Sequence, residues 1–176
     1  MSPRVLAVLA LGACAKGAAE PDAQPIDAIA IDAPAIDAPT GDGGATLDTC
    51  AGALDLTTMA AGVDGATVTG STTGLGNDIQ PPMGCTGFVN DGPDAIYQVT
   101  LGAGQRVTAT LTPQGWDGAL ALIQPCTFTP VCLAGSDRTN PEVATFVAST
   151  ATAVYVVVDS YGPEAAGAYT LNVRIE

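Results

Sequence analysis

Histidine is absent from this 176-residue chain, and cations are scarce: five Lys and Arg face eighteen Asp and Glu, a formal charge of −13. Without histidine no Ser-His-Asp or Cys-His arrangement can be assembled. The single lysine, Lys16, stands close to the N-terminus, far from the segments that pattern as folded, so no lysine base or Schiff-base former serves a domain. No nucleophile elbow, P-loop or dinucleotide fingerprint is present. Nucleic-acid binding depends on cationic neutralisation of phosphates, which this composition cannot supply. Aromatic residues make up only 5%, and no apolar run approaches the ~20 residues of a membrane-spanning helix. Paired carboxylates are the one catalytic chemistry left, as in glycoside hydrolysis. Only Trp116, Tyr97, Tyr155, Tyr161 and Tyr169 offer sugar platforms. The expectation is a non-catalytic protein.

The N-terminus carries a processing layout. Arg4 gives a positive start, Val5 to Leu11 form a short apolar run, and Leu11-Gly12-Ala13-Cys14 closes it. A charged start, short apolar core and small residues before the cut belong to export signals. The last four residues resemble the lipobox of bacterial lipoproteins. That resemblance implies removal of residues 1–13 and acylation of Cys14 with long chains such as palmitate. More than one chain is needed for stable anchoring. Ala15, where an aspartate retains such lipoproteins at the inner membrane, implies the outer membrane. Loss of Arg4 would leave four cations against eighteen acids, so anionic lipid headgroups would repel the chain and attachment would come from lipid on Cys14.

Residues 14–48 read as a disordered linker. Ala, Pro, Asp and Gly dominate, and Asp recurs at Asp22, Asp27, Asp32, Asp37 and Asp42. A period of five matches neither helix nor strand. Pro21, Pro25, Pro34 and Pro39 break helix and remove ladder donors. Like charges hold such a chain open, and at the polyproline rise of ~3.1 Å per residue it would reach roughly 100 Å.

Residues 49–176 suffice for one domain with its own core. Tyr97, Val99 and Leu101 alternate on one face of 95–101; Val107, Ala109 and Leu111 do so in 105–112. With Gly102-Ala103-Gly104 between them, the two runs predict a β-hairpin. Further strands are expected at 66–69, 119–123, 143–148, 153–158 and 168–175. No window has helical periodicity. The sum is all-β, an antiparallel β-sandwich.

Four cysteines remain in the domain, Cys50, Cys85, Cys126 and Cys132. An even number in an exported chain predicts disulfides. Cys126 and Cys132 enclose a short loop and are expected to pair, leaving Cys50 with Cys85. Zinc would need cysteines two to four residues apart.

The run from Tyr97 to Leu111, then Asp117 with Ala119–Ile123, Gly135-Ser136-Asp137, Phe146, Tyr155–Asp159 and Gly167–Val173, is similar to the bacterial pre-peptidase C-terminal domain over roughly residues 86–175. The resemblance implies a jelly-roll-like sandwich that is non-catalytic and assists secretion, binding or localisation. The cysteine-bearing lead-in and the Cys126–Cys132 loop depart from it. Some members bind calcium, which makes Asp91, Asp94, Asp117 and Asp137 calcium candidates; Asp and Asn also cap turns without any metal. Trp116, beside Gly115 and Gly118, is either a binding aromatic or edge packing. The reading is a lipid-anchored module in a bacterial envelope, periplasmic or surface-facing, engaging an envelope polysaccharide or protein. A structural or calcium-dependent adhesion component is the alternative.

Overall fold

In the computed structural model, the described residues are Ile36–Asp37, for their backbone pairing, and 47–176. Ten strands build the fold: β1 (Ile36–Asp37), β2 (Leu54–Asp55), β3 (Ala66–Ser71), β4 (Ala95–Leu101), β5 (Arg106–Pro113), β6 (Gly118–Gln124), β7 (Val131–Ser136), β8 (Glu142–Val147), β9 (Thr152–Ser160) and β10 (Ala168–Ile175). A 3-10 turn (Cys50–Gly52) and one helical turn, α1 (Thr57–Ala60), lie in the lead-in. Two five-stranded sheets form, in the orders β1-β3-β10-β5-β8 and β2-β4-β9-β6-β7. The protein is an all-β sandwich. Its pairings are antiparallel except at two edges, where two-residue β1 and β2 lie parallel to β3 and β4.

Alternation selects the core. Tyr97, Val99 and Leu101 of β4, Leu120 and Leu122 of β6, and Val154, Val156 and Val158 of β9 point inward from one sheet. Val107, Ala109 and Leu111 of β5 and Tyr169, Leu171, Val173 and Ile175 of β10 meet them from the other. Burial of such a set is the dominant favourable term in folding.

The expected β4–β5 hairpin does not form. β4 pairs with β2 and β9, whereas β5 pairs with β10 and β8. The Gly102–Gly104 turn therefore carries the chain from one sheet to the other as an arch. Both runs still face the same core, which is why alternation alone could not separate an arch from a hairpin.

The two outer faces differ. In the β10/β5 sheet the outward positions are Arg106, Thr108, Thr110, Thr170, Asn172 and Arg174, a solvated polar surface. In the β9/β6 sheet the outward positions are Ile96, Ala121, Ile123 and Val157, which form a second apolar cluster with Ile79. The connection from β3 to β4, residues 72–94, supplies Ile79 and lies over that face. Being covered on both faces gives β6 and β9 their near-continuous apolar runs.

Disulfides fasten this cover, with a pairing other than the expected one. Cys50 bonds Cys126 and Cys85 bonds Cys132. Cys132 lies opposite Ile123, on the covered face, and Cys85 of the connection lies over Gly135 of the same strand. Cys126, beyond the end of β6, packs against the second cluster near Ala53 of the lead-in. Proximity in sequence was the wrong guide, because the hairpin's two thiols are claimed by two different covering segments.

The chain enters the sandwich before the expected boundary at residue 49. Leu47 is buried in the main core and its carbonyl accepts from Ile96 N at 2.7 Å. Cys14 and the expected signal segment lie outside the described residues.

Candidate functional site

Four connections meet at one end of the sandwich: 72–94, 114–117, 137–141 and 161–167. That end gathers most of the domain's acids because strand ends and turns favour Asp and Asn. Register then places three of them in a row. Ala95 pairs with Val158 and Ala119 with Asp159, so Asp94, Asp159 and Asp137 fall side by side across β4, β9, β6 and β7, on the covered face.

Asp94 and Asp159 are fully buried. Oδ2 of Asp94 accepts from Asp78 N and Ile79 N, each at 2.6 Å, so this carboxyl holds the covering connection to the sheet. Oδ1 of Asp159 accepts from Ser160 N at 2.6 Å. Gly92 brings the connection so close to β9 that a Cβ there would collide with the Ser160 side chain, and its N–H bonds Ser160 O at 3.1 Å. The two carboxyls lie within hydrogen-bonding reach of each other. Among the described residues, the buried side-chain oxygens without a partner are Asp94 Oδ1, Asp159 Oδ2 and Asp48 Oδ1. Burial pushes Asp94 up from the usual carboxylate range, with the Asp78 charge adding to it. Burial and then the Asp94 charge push Asp159 up as well. A single proton held by the pair would remove one of the two buried charges.

Beside this row lies an open recess of about 360 Å³ lined by Phe88, Asp117, Asp137 and Tyr161. Phe88 is 41% and Tyr161 64% exposed; the third exposed aromatic, Phe128, stands apart from the recess in the connection from β6 to β7. Asp137 forms the floor: it is 9% exposed, accepts from Asn90 Nδ2 at 3.2 Å, and is raised above its ordinary range chiefly by burial. Arg138 holds its guanidinium 5.5 Å from the centroid of the Phe88 ring. Next to the recess, Glu142 is buried but fully engaged, accepting from Ser136 Oγ and from the N–H groups of Arg138 and Thr139. A second cleft of about 470 Å³ runs past Thr73–Asn77, Asp91–Pro93 and Pro163–Glu164. Its lining mixes glycine and proline with polar side chains such as Asn77, Asp91 and Glu164, and it presents no aromatic face.

The four calcium candidates thus separate. Asp117 and Asp137 share the recess, Asp94 is spent on the covering connection, and Asp91 accepts from the Gln80 side chain. Among the described residues no three acidic side chains converge in ion-holding geometry. Trp116 is edge packing: its indole N–H donates to Ala168 O at 2.8 Å and its ring lies against Gly118 and Gly167. Tyr97 and Tyr169 are core, Tyr155 packs on the second cluster, and Tyr161 alone of the named tyrosines stands out in solvent. Phe88 was not singled out in the sequence, since nothing in the pattern of a long irregular connection marks which residue stays exposed.

No known protein family matches the sequence, and no curated protein does. Among solved structures the chain is similar to Aeromonas hydrophila PliG, a periplasmic lysozyme inhibitor of g-type lysozyme. The identity is 14% and the TM-score 0.39, over 63% of this chain and 85% of that one. A likeness of this degree says nothing about partner or activity. Among the described residues, no helix is long and apolar enough to cross a membrane.

Proposed function

We propose that this protein is a non-catalytic binding module, anchored in a bacterial envelope by acyl chains on Cys14 and held away from the lipid by its Ala/Pro/Asp-rich tether. The observation that carries the binding role is the recess at the loop end, where two exposed aromatic rings flank two carboxylates. Aromatic side chains set in a recess are among the residues that carry most of the energy at recognition surfaces. The absence of histidine from the chain and of lysine from the domain supports a role without catalysis. The lipobox-like segment supports the anchor, and the resemblance to pre-peptidase C-terminal domains supports an accessory binding role. A calcium-dependent adhesin draws less support, because its candidate ligands occupy three separate places.

Two measurements test the reading. Mass spectrometry of the protein from its own cells is expected to show Cys14 as an acylated N-terminus; a chain retaining Met1 with no acyl mass overturns the anchor. A photoreactive phenylalanine analogue replacing Tyr161 is expected to give one discrete adduct in intact cells, lost on Phe88→Ala. The same analogue replacing Val63, 87% exposed at the opposite end, is expected to give none. No adduct from position 161, or an adduct indifferent to Phe88, overturns the binding role of the recess.

A further inference from the structure

We infer that the recess of Phe88, Asp117, Asp137 and Tyr161 receives the guanidinium or ammonium group of a basic protein partner. This rests on the proposed binding role and names its chemistry.

The charge distribution points that way first. Of the three arginines in the domain, Arg106 and Arg174 sit at the far end, 3.8 and 3.2 Å from the Glu176 carboxylate. Arg138 alone lies at the loop end. Nine of the domain's twelve acids lie there; Asp48, Asp94, Asp137, Glu142 and Asp159 are buried, and Asp78, Asp91, Asp117 and Glu164 stand on the surface. Four exposed acids against one arginine leave this end net negative, which steers partners of opposite charge and disfavours anionic ones.

The recess adds a specific contact to that field. Aromatic faces attract cations, arginine most often among them, and carboxylates form their stronger hydrogen bonds with charged donors. The chain already shows the first contact in its own Arg138, set over Phe88. The exposed Tyr161 ring has no such cation on it among the described residues. Asp137 is half of the reason a cation is favoured over a neutral sugar. It is a carboxylate 9% exposed whose like-charged neighbours Asp117 and Glu142 are set against the Asn90 amide and the single Arg138 charge, and a second positive charge in the recess would add to that compensation. A sugar hydroxyl would supply a donor but no further positive charge. An anionic polymer would add to the repulsion.

The test uses the full chain in detergent, titrated with tri-arginine amide by calorimetry. The single tryptophan, one residue before Asp117, gives an independent fluorescence signal. Saturable binding is expected, weakening as salt is added. Asp117→Asn combined with Tyr161→Ala is expected to weaken it at least fivefold. Both side chains are exposed, so the fold should tolerate the change. Glu164→Gln removes one charge from the same end outside the recess and is expected to cost less than twofold. Equal losses from both variants would mean bulk attraction and overturn the assignment, as would equal binding of tri-glutamine amide or no saturable binding. If the position-161 adduct forms in cells while tri-arginine amide does not bind, the cationic chemistry fails and the binding role stands. If neither occurs, both fail.

Discussion

Tyr97 of β4 and Tyr169 of β10 reach across the sandwich from opposite sheets, and their hydroxyl oxygens lie 2.6 Å apart in the fully buried core. Burial raises both phenols, Tyr169 to about 12 and Tyr97 further. Each hydroxyl is the other's answer to desolvation, and the pair ties the two layers at one depth.

Removing either hydroxyl therefore orphans the other. Tyr97→Phe or Tyr169→Phe alone is expected to cost about 1–3 kcal/mol, the penalty for an unsatisfied buried polar group. The double variant should cost clearly less than the two singles together, which a double-mutant cycle by denaturant unfolding measures. Additive losses would mean that the hydroxyls act independently. Gly70 makes room for this arrangement, since a Cβ there would stand 2.5 Å from Tyr169 Oη. Gly70→Ala should destabilise by about 1–3 kcal/mol through overpacking, and by less in the Tyr169→Phe background.

Peptide mapping under non-reducing conditions is expected to recover Cys50 linked to Cys126 and Cys85 linked to Cys132; a Cys126–Cys132 peptide would refute the covering arrangement. The bridges span separations of 76 and 47 residues. The chain-entropy model gives about 4 kcal/mol for each, an upper-range figure. Replacing Cys85 and Cys132 together by alanine should lower Tm by roughly 10 °C, at about 3 °C per kcal/mol for a domain of this size.

The buried acids make stability depend on pH in a definite direction. Asp94 and Asp159 are both raised on folding, so the native state binds more protons than the unfolded chain at pH values above the ordinary carboxylate range near 4. Stability from this pair is fully present below about pH 4 and is lost as pH rises from there through the folded values. Asp78 faces Asp94 across the connection and adds to the repulsion when both ionise. Asp159→Asn keeps the shape and can donate to Asp94. It is expected to flatten the decline and to stabilise the protein at pH 8 by at least about 1.4 kcal/mol, the worth of one pK unit. A steeper decline in the variant would overturn the shared proton. So would a Tm that calcium raises at pH 8 in the wild-type chain but not in Asp159→Asn, since a cation would then be what neutralises the pair.

Much of this architecture was legible as faces and little of it as partners. Period two in β4, β5 and β10 named the inward residues correctly, down to Tyr97 and Tyr169. It could not say that β4 and β5 belong to different sheets, because alternation encodes which side a residue faces and not which strand lies beside it. β7 escaped altogether: Val131–Ser136 is an edge strand whose side chains are mostly half-covered, so no contrast between buried and exposed positions marks it. The site was fainter still. Asp117 and Asp137 stood out as turn acids, yet bringing them together with Phe88 and Tyr161 takes four separate connections, and only the assembled sheet order does that.

The staples also impose a timetable. Each joins a residue ahead of β4 to one at or beyond residue 126, so an emerging polypeptide shorter than that cannot lock its greasy outer sheet under cover by covalent means. Until Cys126 and Cys132 arrive, the flap over Ile96 is seated by non-covalent contacts alone, the Asp94 bonds to Asp78 and Ile79 among them. Synthesis in a compartment that keeps thiols reduced would leave the flap without its covalent fastening, and a larger share of insoluble product is the expected result of producing this protein there.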